Sequence, residues 1–271
     1  YFGKRNISEI TTKDVIAWQN ALLAFRDEKK QPYSQTYLKT VHNQLSAIFN
    51  HAVRHYDLRS NPTAKAGSMG DKDGGNISFW TKEEYQRFAN EMMDKPVSYY
   101  AFEMLYWCGI REGELLALTP ADFDFKAGTV KISKSYQRLH GEDVITTPKT
   151  KKSNRTIKMP PFLCEEMQDY LKMLYGLKKK DRIFTISKSY LHHEMDRGAK
   201  AAGVKRIRIH DLRHSHVSLL IDMGFTPVAI ADRLGHKSIE VTLRYAHLFP
   251  SKQTEMIERL EKERTVEANV N

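Results

Sequence analysis

Residues 129–159, TVKISKSYQRLHGEDVITTPKTKKSNRTIKM, interrupt the helical pattern that dominates the rest of the chain. Three short segments rich in β-branched residues, at 129–132, 144–147 and 156–159, are separated by polar turns. Such segments are typical of strands joined by hairpins. They predict a small three-stranded antiparallel β-sheet.

The segments on both sides of this sheet have helical periodicity. Upstream, Thr81-x-x-Glu84 is a capping-box pattern, and an apolar segment ends at Gly109, a residue typical of helix C-termini. Downstream, helices are predicted at 162–174, 187–202, 211–223 and 227–234, with a last one after Pro250. The expected fold class is therefore mainly α, with a mostly helical domain that carries the sheet.

A glycine-rich stretch from Asn61 to Asn76 separates this region from a smaller helical one. Two helices are predicted before it. The first contains Val15, Ile16, Leu22 and Leu23, and the second has an apolar stripe of Tyr37, Val41, Leu45, Ile48 and Ala52. We therefore expect a helical domain at 1–66, a linker at 67–76, a second domain at 77–250 and a C-terminal helix or tail at 251–271.

The charge of the chain favours a polyanionic partner. Its 271 residues include 43 Lys and Arg against 33 Asp and Glu, which gives a formal net charge of +10. Lys39, Asn43 and Asn50 lie opposite the apolar stripe of the second helix, where they suit phosphate and base-edge contacts. An ordinary solvated helix face explains these three residues equally well.

The cysteine content argues against a disulfide framework or a four-cysteine zinc site. Cys108 and Cys164 are the two cysteines of the sequence and are far apart in it. This usage fits a reducing, cytoplasmic environment. No apolar run reaches the roughly 18 residues that span a bilayer, so no membrane association is expected.

The segment His210-Asp211-Leu212-Arg213-His214 carries the strongest chemical signal. On a helix, His210 and Arg213 lie one turn apart on the same side. A guanidinium can bind two phosphate oxygens, and an imidazole can exchange a proton near neutral pH, although an isolated HxxR pair is usually structural. His210 and His214 have zinc-ligand spacing, but HExxH is absent and Arg213 would repel a cation, so no metal site is predicted.

Further polar motifs lie on either side of the sheet. Arg111 follows the expected helix end at Gly109, and Glu114 could orient its guanidinium. The turn before the last strand contains four cationic residues, which are Lys149, Lys151, Lys152 and Arg155. Leu234-Gly235-His236 precedes Tyr245, which lies nine residues after His236. Each motif alone is weak.

In this order, Arg, Lys, HxxR, LGH and Tyr, the motifs resemble those of the tyrosine recombinases, the lambda-integrase-like family. Within it, the chain is most similar to integrases of bacterial conjugative transposons. The resemblance runs from about Ile7 to Phe249 and implies a helical core-binding domain followed by a catalytic domain whose sheet carries the lysine. The family's catalytic set falls on Arg111, Lys149, His210, Arg213, His236 and Tyr245, with Glu114 as the acidic neighbour of the first arginine.

The resemblance implies a site-specific DNA recombinase that integrates and excises a mobile element. Tyr245 would attack the phosphodiester while His210 accepts its proton, and Lys149 would protonate the departing 5′ oxygen. Arg111, Arg213 and His236 would stabilise the transition state. The 3′-phosphotyrosine bond would conserve the energy of the cleaved phosphodiester bond, so neither ATP nor a metal nor another cofactor is needed.

The resemblance also implies partners. They are double-stranded DNA at the element ends and the target site, a homotetramer on two duplexes, and accessory DNA-bending or excision factors. Lys151, Lys152 and Arg155 are expected to contact DNA. The C-terminal helix would dock on a neighbouring protomer through Met256, Ile257 and Leu260, although packing within the same chain fits these residues as well.

Three alternatives remain at this point. A type IB topoisomerase would share the covalent chemistry but would relax supercoils instead of joining two sites. A catalytically silent, sequence-specific DNA-binding protein could be built on the same fold, and a metal-dependent nuclease would need a divalent cation.

Overall fold

The structure is a computed structural model that describes residues 1–71, 78–147, 153–236, 238–243, 245 and 257. The chain forms two compact units, Tyr1–Asn76 and Ile77–Asn271. Within the described residues, no helix is both long enough and apolar enough to cross a bilayer. The mainly helical fold with small antiparallel sheets agrees with the expected fold class.

The first unit is helical. It contains a 3-10 turn at Ile7–Glu9, α1 at Thr12–Ala24, α2 at Gln35–His55 and α3 at Pro62–Ala66. Helix α1 begins with a capping box, because Thr11 accepts from the backbone of Asp14 and the Asp14 carboxylate accepts from the backbone of Thr11. The small core of this first unit contains Val15, Trp18, Leu38, Phe49 and Met69, all buried.

The apolar stripe predicted for α2 is rotated in the structure. Tyr37 and Ile48 are 46% and 56% exposed, whereas Leu38 and Phe49 are buried. The sequence offers two overlapping stripes with helical spacing, and Leu38 and Phe49 are the ones that pack in a buried cluster with Val15 and Trp18 of α1. The prediction of the helix is confirmed, and the prediction of its buried face was wrong at Tyr37 and Ile48.

The second unit contains the remaining elements. Its helices are α4 at Lys82–Asn90, α5 at Pro96–Cys108, α6 at Glu112–Leu115, α7 at Pro161–Met173, α8 at Lys188–Ala201, α9 at Asp211–Asp222, α10 at Pro227–Leu234 and α11 at Glu240–Leu243, with a 3-10 turn at Pro120–Asp122. Its strands are β1 at Phe123–Asp124, β2 at Thr129–Ile132, β3 at Ser135–Leu139, β4 at Glu142–Thr146 and β5 at Arg155–Lys158.

Helix α5 lies at the centre of this unit and contacts both α7 and α9. It is mostly apolar and buried around its circumference, as expected for a helix surrounded by protein, and Phe102 and Tyr106 are fully buried. The helix ends at Gly109, which has a left-handed φ of 60°. A Cβ there would lie 2.6 Å from the ring of His216, so only glycine fits this end of the helix.

The strands form two sheets instead of the single sheet that was expected. The three-stranded sheet has the order β1-β2-β5, with Val130 opposite Ile157, and β3 and β4 form a separate hairpin. Residues 144–147 therefore do not pair with 129–132 or 156–159. The third strand of the sheet is Phe123–Asp124.

Candidate active site

Arg213 on α9 is fixed inside the second unit. Its NH1 donates to the carbonyl oxygen of Gly109 at 2.7 Å, and its NH2 donates to that of Leu234 at 2.8 Å. Burial, together with the nearby charges of Arg111 and Arg155, lowers the pKa of this guanidinium to about 9. The group is still protonated at neutral pH, and two backbone carbonyls hold it in one orientation.

Glu114 binds two arginines from different parts of the chain. Its carboxylate accepts from the backbone N of Arg111 at 2.9 Å and from Arg111 NH1 at 2.8 Å. It also accepts from NH1 and NH2 of Arg155 on β5 at 3.1 Å and 3.0 Å. Glu114 is 3% exposed, and although burial opposes its charge, the bonds from Arg155 and Arg111 lower its pKa overall. The predicted orienting contact between Glu114 and Arg111 is present.

Arg155, for which a DNA contact was expected, lies largely buried beside Glu114. Its side chain is 7% exposed because the buried carboxylate of Glu114 draws it inward, whereas that of Arg111 is 39% exposed. Arg155 Nε also donates to the carbonyl of Arg233. Arg155 therefore holds Glu114 and the strand end together, and Arg111 is the arginine of this pair that solvent reaches.

His236 lies beside the same arginines and is held by Thr242. Its Nδ1 is 2.8 Å from Thr242 Oγ1, and both residues are buried. With the hydroxyl as donor, the ring proton lies on Nε2 and can be donated to a ligand. Burial, together with the positive charges of Arg213 and Arg111, lowers the pKa of His236 to about 4. The ring is therefore neutral at neutral pH.

Tyr245 enters this cluster from the same chain. Its backbone N donates to the carbonyl of Thr242 at 3.0 Å, and the residue is 4% exposed. The ring packs in a small apolar cluster that also contains Val217, Ile221, Ile230 and Leu234. The phenol oxygen forms a hydrogen bond with Nδ1 of His214. Thr242 thus positions both His236, through its hydroxyl, and Tyr245, through its carbonyl.

His210 is the N-cap residue of α9 and is exposed. Partial loss of water around its ring lowers its pKa, and the charge of Arg213 contributes. Its ring centroid lies 5.0 Å from that of His214. Sequence reasoning considered His214 only as a metal ligand and missed its contact with Tyr245. The i,i+4 spacing with His210 was the available signal, because it places both rings on one face.

The structure thus brings Arg111, His210, Arg213, His236 and Tyr245 into one region of the second unit. Their mutual effects on pKa show this proximity, since Arg213 and Arg111 lower the pKa of both His210 and His236, and Tyr245 affects that of Arg213. An open cavity of about 510 Å³ lies beside the cluster. Asn154, Arg155, Arg233, His236 and Ile239 contribute to its lining.

Several predicted residues lie elsewhere. Lys149, Lys151 and Lys152 lie outside the described residues, as do Met256 and Leu260, whereas Ile257 is 62% exposed. In the first unit, Asn43 is exposed. Lys39 donates to the hydroxyl of Ser68, and the Asn50 side-chain oxygen accepts from Asn61 at 2.8 Å.

The histidines that the structure describes do not assemble with acids or cysteines into a candidate metal centre. Among the described residues, no group of three or more His, Cys, Asp or Glu side chains is arranged to hold a metal ion. Around Arg111, Arg213 and His236, the cationic groups, which include Arg155, outnumber the Glu114 carboxylate. Such an arrangement suits an anion.

Comparison with known proteins identifies related chains. The model of the phage integrase family matches residues 78–252. The ICEBs1 integrase of Bacillus subtilis (strain 168) is 29% identical over 276 residues, which cover 96% of this chain and 73% of that protein. A putative prophage phiRv2 integrase of Mycobacterium tuberculosis is 28% identical over 270 residues, which cover 96% of this chain and 69% of that protein.

Solved structures share the fold. The Tn1549 transposon integrase in complex with a circular intermediate DNA superimposes with a TM-score of 0.75 at 21% identity and covers 96% of this chain and 86% of that one. A lambda integrase dimer bound to a COC′ core site superimposes with a TM-score of 0.62 at 21% identity, with coverage of 88% and 80%.

Proposed function

The chain belongs to the phage integrase family, the tyrosine recombinases, and we propose that it cleaves and rejoins double-stranded DNA at the ends of a mobile element and at its target site. One observation carries the assignment of the nucleophile. The phenol of Tyr245 lies in the same region of its own chain as Arg111, Arg213 and His236. The matched relatives are named integrases or tyrosine recombinases, and they give no support to a type IB topoisomerase or a catalytically silent protein.

The electrostatics of the cluster favour a phosphodiester. The guanidinium groups of Arg111, Arg155 and Arg213 are close enough to influence one another, and Glu114 is the carboxylate that faces two of them. The site therefore has more positive than negative charge in a partly buried environment, which an anionic phosphate would relieve. Arg111 would bind one non-bridging oxygen from the exposed side, and Arg213 would stabilise the charge of the pentavalent transition state.

The remaining steps follow the family pattern. A phenol has an ordinary pKa near 10, so Tyr245 must lose its proton as it attacks, and the pattern assigns that step to His210. His236 donates a hydrogen bond through Nε2. Lys149 protonates the 5′ oxygen as the P–O5′ bond breaks. The products are a 3′-phosphotyrosyl bond and a free 5′ hydroxyl, and the reaction uses neither ATP nor a metal nor another cofactor.

The proposal extends to organisation and partners. Residues 1–66 act as a core-binding domain with Lys39, Asn43 and Asn50 facing DNA, 67–76 as a linker and 77–250 as the catalytic domain, to which Lys151 and Lys152 add phosphate contacts. Residues 251–271 dock on a neighbouring protomer within a tetramer on two duplexes, assisted by DNA-bending or excision factors. Solved relatives are integrases bound to DNA, one of them as a dimer. A DNA substrate of this kind lies in the bacterial cytoplasm, at the nucleoid.

The covalent intermediate provides the direct test. The protein is incubated with a nicked duplex that carries a candidate element end, and SDS-resistant adducts are identified by mass spectrometry. The wild type should form an adduct at Tyr245, and Tyr245→Phe should bind the duplex without forming one. Tyr175→Phe, which changes an exposed tyrosine, is the matched control and should react normally. An adduct that persists in Tyr245→Phe would show that the nucleophile is another residue.

Two further measurements separate the alternatives. A type IB topoisomerase would relax a supercoiled plasmid that lacks element ends, whereas a recombinase should require them. A metal-dependent nuclease would lose its activity in EDTA, whereas the proposed transesterification should continue.

A further inference from the structure

We propose that His214, the imidazole in contact with the nucleophile, accepts the proton of Tyr245 during DNA cleavage. This inference rests on the proposed function and changes one role within it, because the family pattern assigns the proton to His210. Its basis is the hydrogen bond between Nδ1 of His214 and the phenol oxygen of Tyr245. A general base must be within hydrogen-bond reach of the proton that it removes.

The surroundings of His214 select the tautomer that a base needs. Its Nε2 lies 3.7 Å from Oδ1 of Asp211, one turn earlier on α9. A carboxylate on that side favours a proton on Nε2, which leaves the lone pair of Nδ1 directed at the phenol. The side chain of His214 is 18% exposed, so the phenol and the ring meet where little water competes for the hydrogen bond.

Asp211 is itself held in place. Its side chain is 2% exposed and accepts from the backbone N of Arg208 at 2.9 Å and from Arg208 NH2 at 2.8 Å. Arg208, Asp211, His214 and Tyr245 therefore form a chain of contacts that ends at the nucleophilic oxygen. The order of carboxylate, imidazole and hydroxyl is that of a catalytic triad with a phenol as the nucleophile, and at 3.7 Å Asp211 acts on the imidazole through its charge and not through a hydrogen bond.

Charge in the site controls the basicity of His214. Partial burial and the neighbouring His210, Arg208 and Arg213 together lower its pKa to about 4, while Asp211 opposes them. A phosphodiester bound beside Arg213 would offset part of that positive charge and bring the pKa back toward its ordinary value of 6.5. His214 would therefore become a stronger base when the substrate is in place.

The proposed step is balanced. As the oxygen of Tyr245 bonds to phosphorus, its proton moves to Nδ1 of His214, and the electron pair of the breaking P–O5′ bond goes to the leaving oxygen. That oxygen takes a proton from the general acid, which the proposed function places at Lys149. When the 5′ hydroxyl attacks in the rejoining step, its proton goes back to the neutral amine of Lys149, the P–O bond to Tyr245 breaks, and His214 returns its proton to the phenolate.

Two variants separate proton transfer from simple positioning. His214→Asn keeps a hydrogen-bond acceptor near the position of Nδ1 but cannot take a proton, and His214→Ala removes the ring. Both should bind the nicked duplex like the wild type and should form the adduct about 100-fold more slowly or worse. Added imidazole should restore part of the rate of His214→Ala. If His214→Asn cleaves within about tenfold of the wild type, His214 only positions the phenol and the inference is overturned.

His210→Ala is measured in the same assay. Rescue of His210→Ala by imidazole, without rescue of His214→Ala, would show that His210 is the proton acceptor and would overturn the inference. Thermal unfolding of each variant separates loss of the fold from loss of the base, because imidazole cannot restore an unfolded protein.

A measurement without DNA distinguishes this inference from the proposed function. With 3-fluorotyrosine at position 245, the fluorine resonance of the free protein should move when His214 is replaced by Ala, and it should differ from that of 3-fluorotyrosine at the exposed position 175. The contact would be refuted if the fluorine at position 245 had the same chemical shift as the fluorine at position 175 and if that shift did not change in His214→Ala. A wild type that shows the contact but forms no adduct would overturn the proposed function and the proton transfer, leaving only the contact.

Discussion

Removal of the Glu114 carboxylate should destabilise the second unit more than any exposed substitution. Glu114 is 3% exposed and accepts four hydrogen bonds, two from Arg111 and two from Arg155. In Glu114→Ala, the side chain of Arg155, which is 7% exposed, would keep its charge without a carboxylate beside it. The substitution therefore leaves a buried cation without its counter-ion, which costs more than the loss of a neutral contact.

The magnitude follows from this burial. Breaking a buried ion pair by deleting one partner costs about 3–5 kcal/mol. For a unit of this size, each kcal/mol lowers Tm by about 2–4 °C, so a fall of roughly 6–20 °C is expected. Glu114→Gln should cost less, because an amide oxygen can still accept part of the hydrogen bonds from Arg155.

Urea unfolding followed by circular dichroism measures this difference, and the exposed pair of Lys172 and Asp169 supplies the control. Those side chains are 74% and 64% exposed, so Asp169→Ala should change the free energy of unfolding by less than about 1 kcal/mol. A Glu114→Ala variant that loses no more than Asp169→Ala would refute the reasoning, because it would show that solvent reaches Arg155 and replaces the carboxylate.

Three further predictions concern the site and the core. Arg213→Lys cannot reproduce two hydrogen bonds from separate guanidinium nitrogens, so adduct formation should fall by about 100-fold or more while filter binding of DNA changes little; equal losses would make Arg213 a DNA contact. Thr242→Val leaves Nδ1 of His236 without its hydroxyl partner and should slow adduct formation about tenfold, equivalent to about 1.4 kcal/mol; an unchanged rate would show that Thr242 does not orient the ring. Burial raises the pKa of Glu103 to about 7 from 4.5, so its contribution to stability is fully present below pH 4.5 and is lost as the pH rises through 7. Urea unfolding should show a fall of about 3 kcal/mol over that range that is absent in Glu103→Gln, and parallel curves for the two proteins would contradict the shift.

Local signals predicted the helix ends well. Thr81 and Glu84 form the reciprocal capping box that their spacing indicated, and Thr226 caps α10. Gly109 ends α5 in the left-handed conformation. These features depend on residues three or four positions apart, so the amino-acid sequence contains almost all of the information that determines them.

The pairing of the strands depended on more distant contacts. Segments 129–132 and 144–147 both have strand composition, and the residues within each segment do not determine which other strand it pairs with. One local signal was available. His140 and Gly141 have φ values of 50° and 86°, the conformation of a two-residue type I′ turn, which joins the strands immediately beside it. Read in that way, Gly141 predicts the hairpin of 135–139 with 142–146 that the structure contains.

The same limit applies to the chemistry of the site. Helical spacing places His210 and His214 on one face of α9, and it treats the two imidazoles alike. The position of Tyr245, which is 31 residues beyond His214, determines which ring the phenol meets. In the same way, four cationic residues in one turn suggest a DNA-facing surface, yet Glu114, which precedes Arg155 by 41 residues, draws that side chain into the interior. Motif spacing therefore identifies the face on which the candidate catalytic groups lie, and the packing of distant segments decides which atom on that face contacts the phenol of Tyr245.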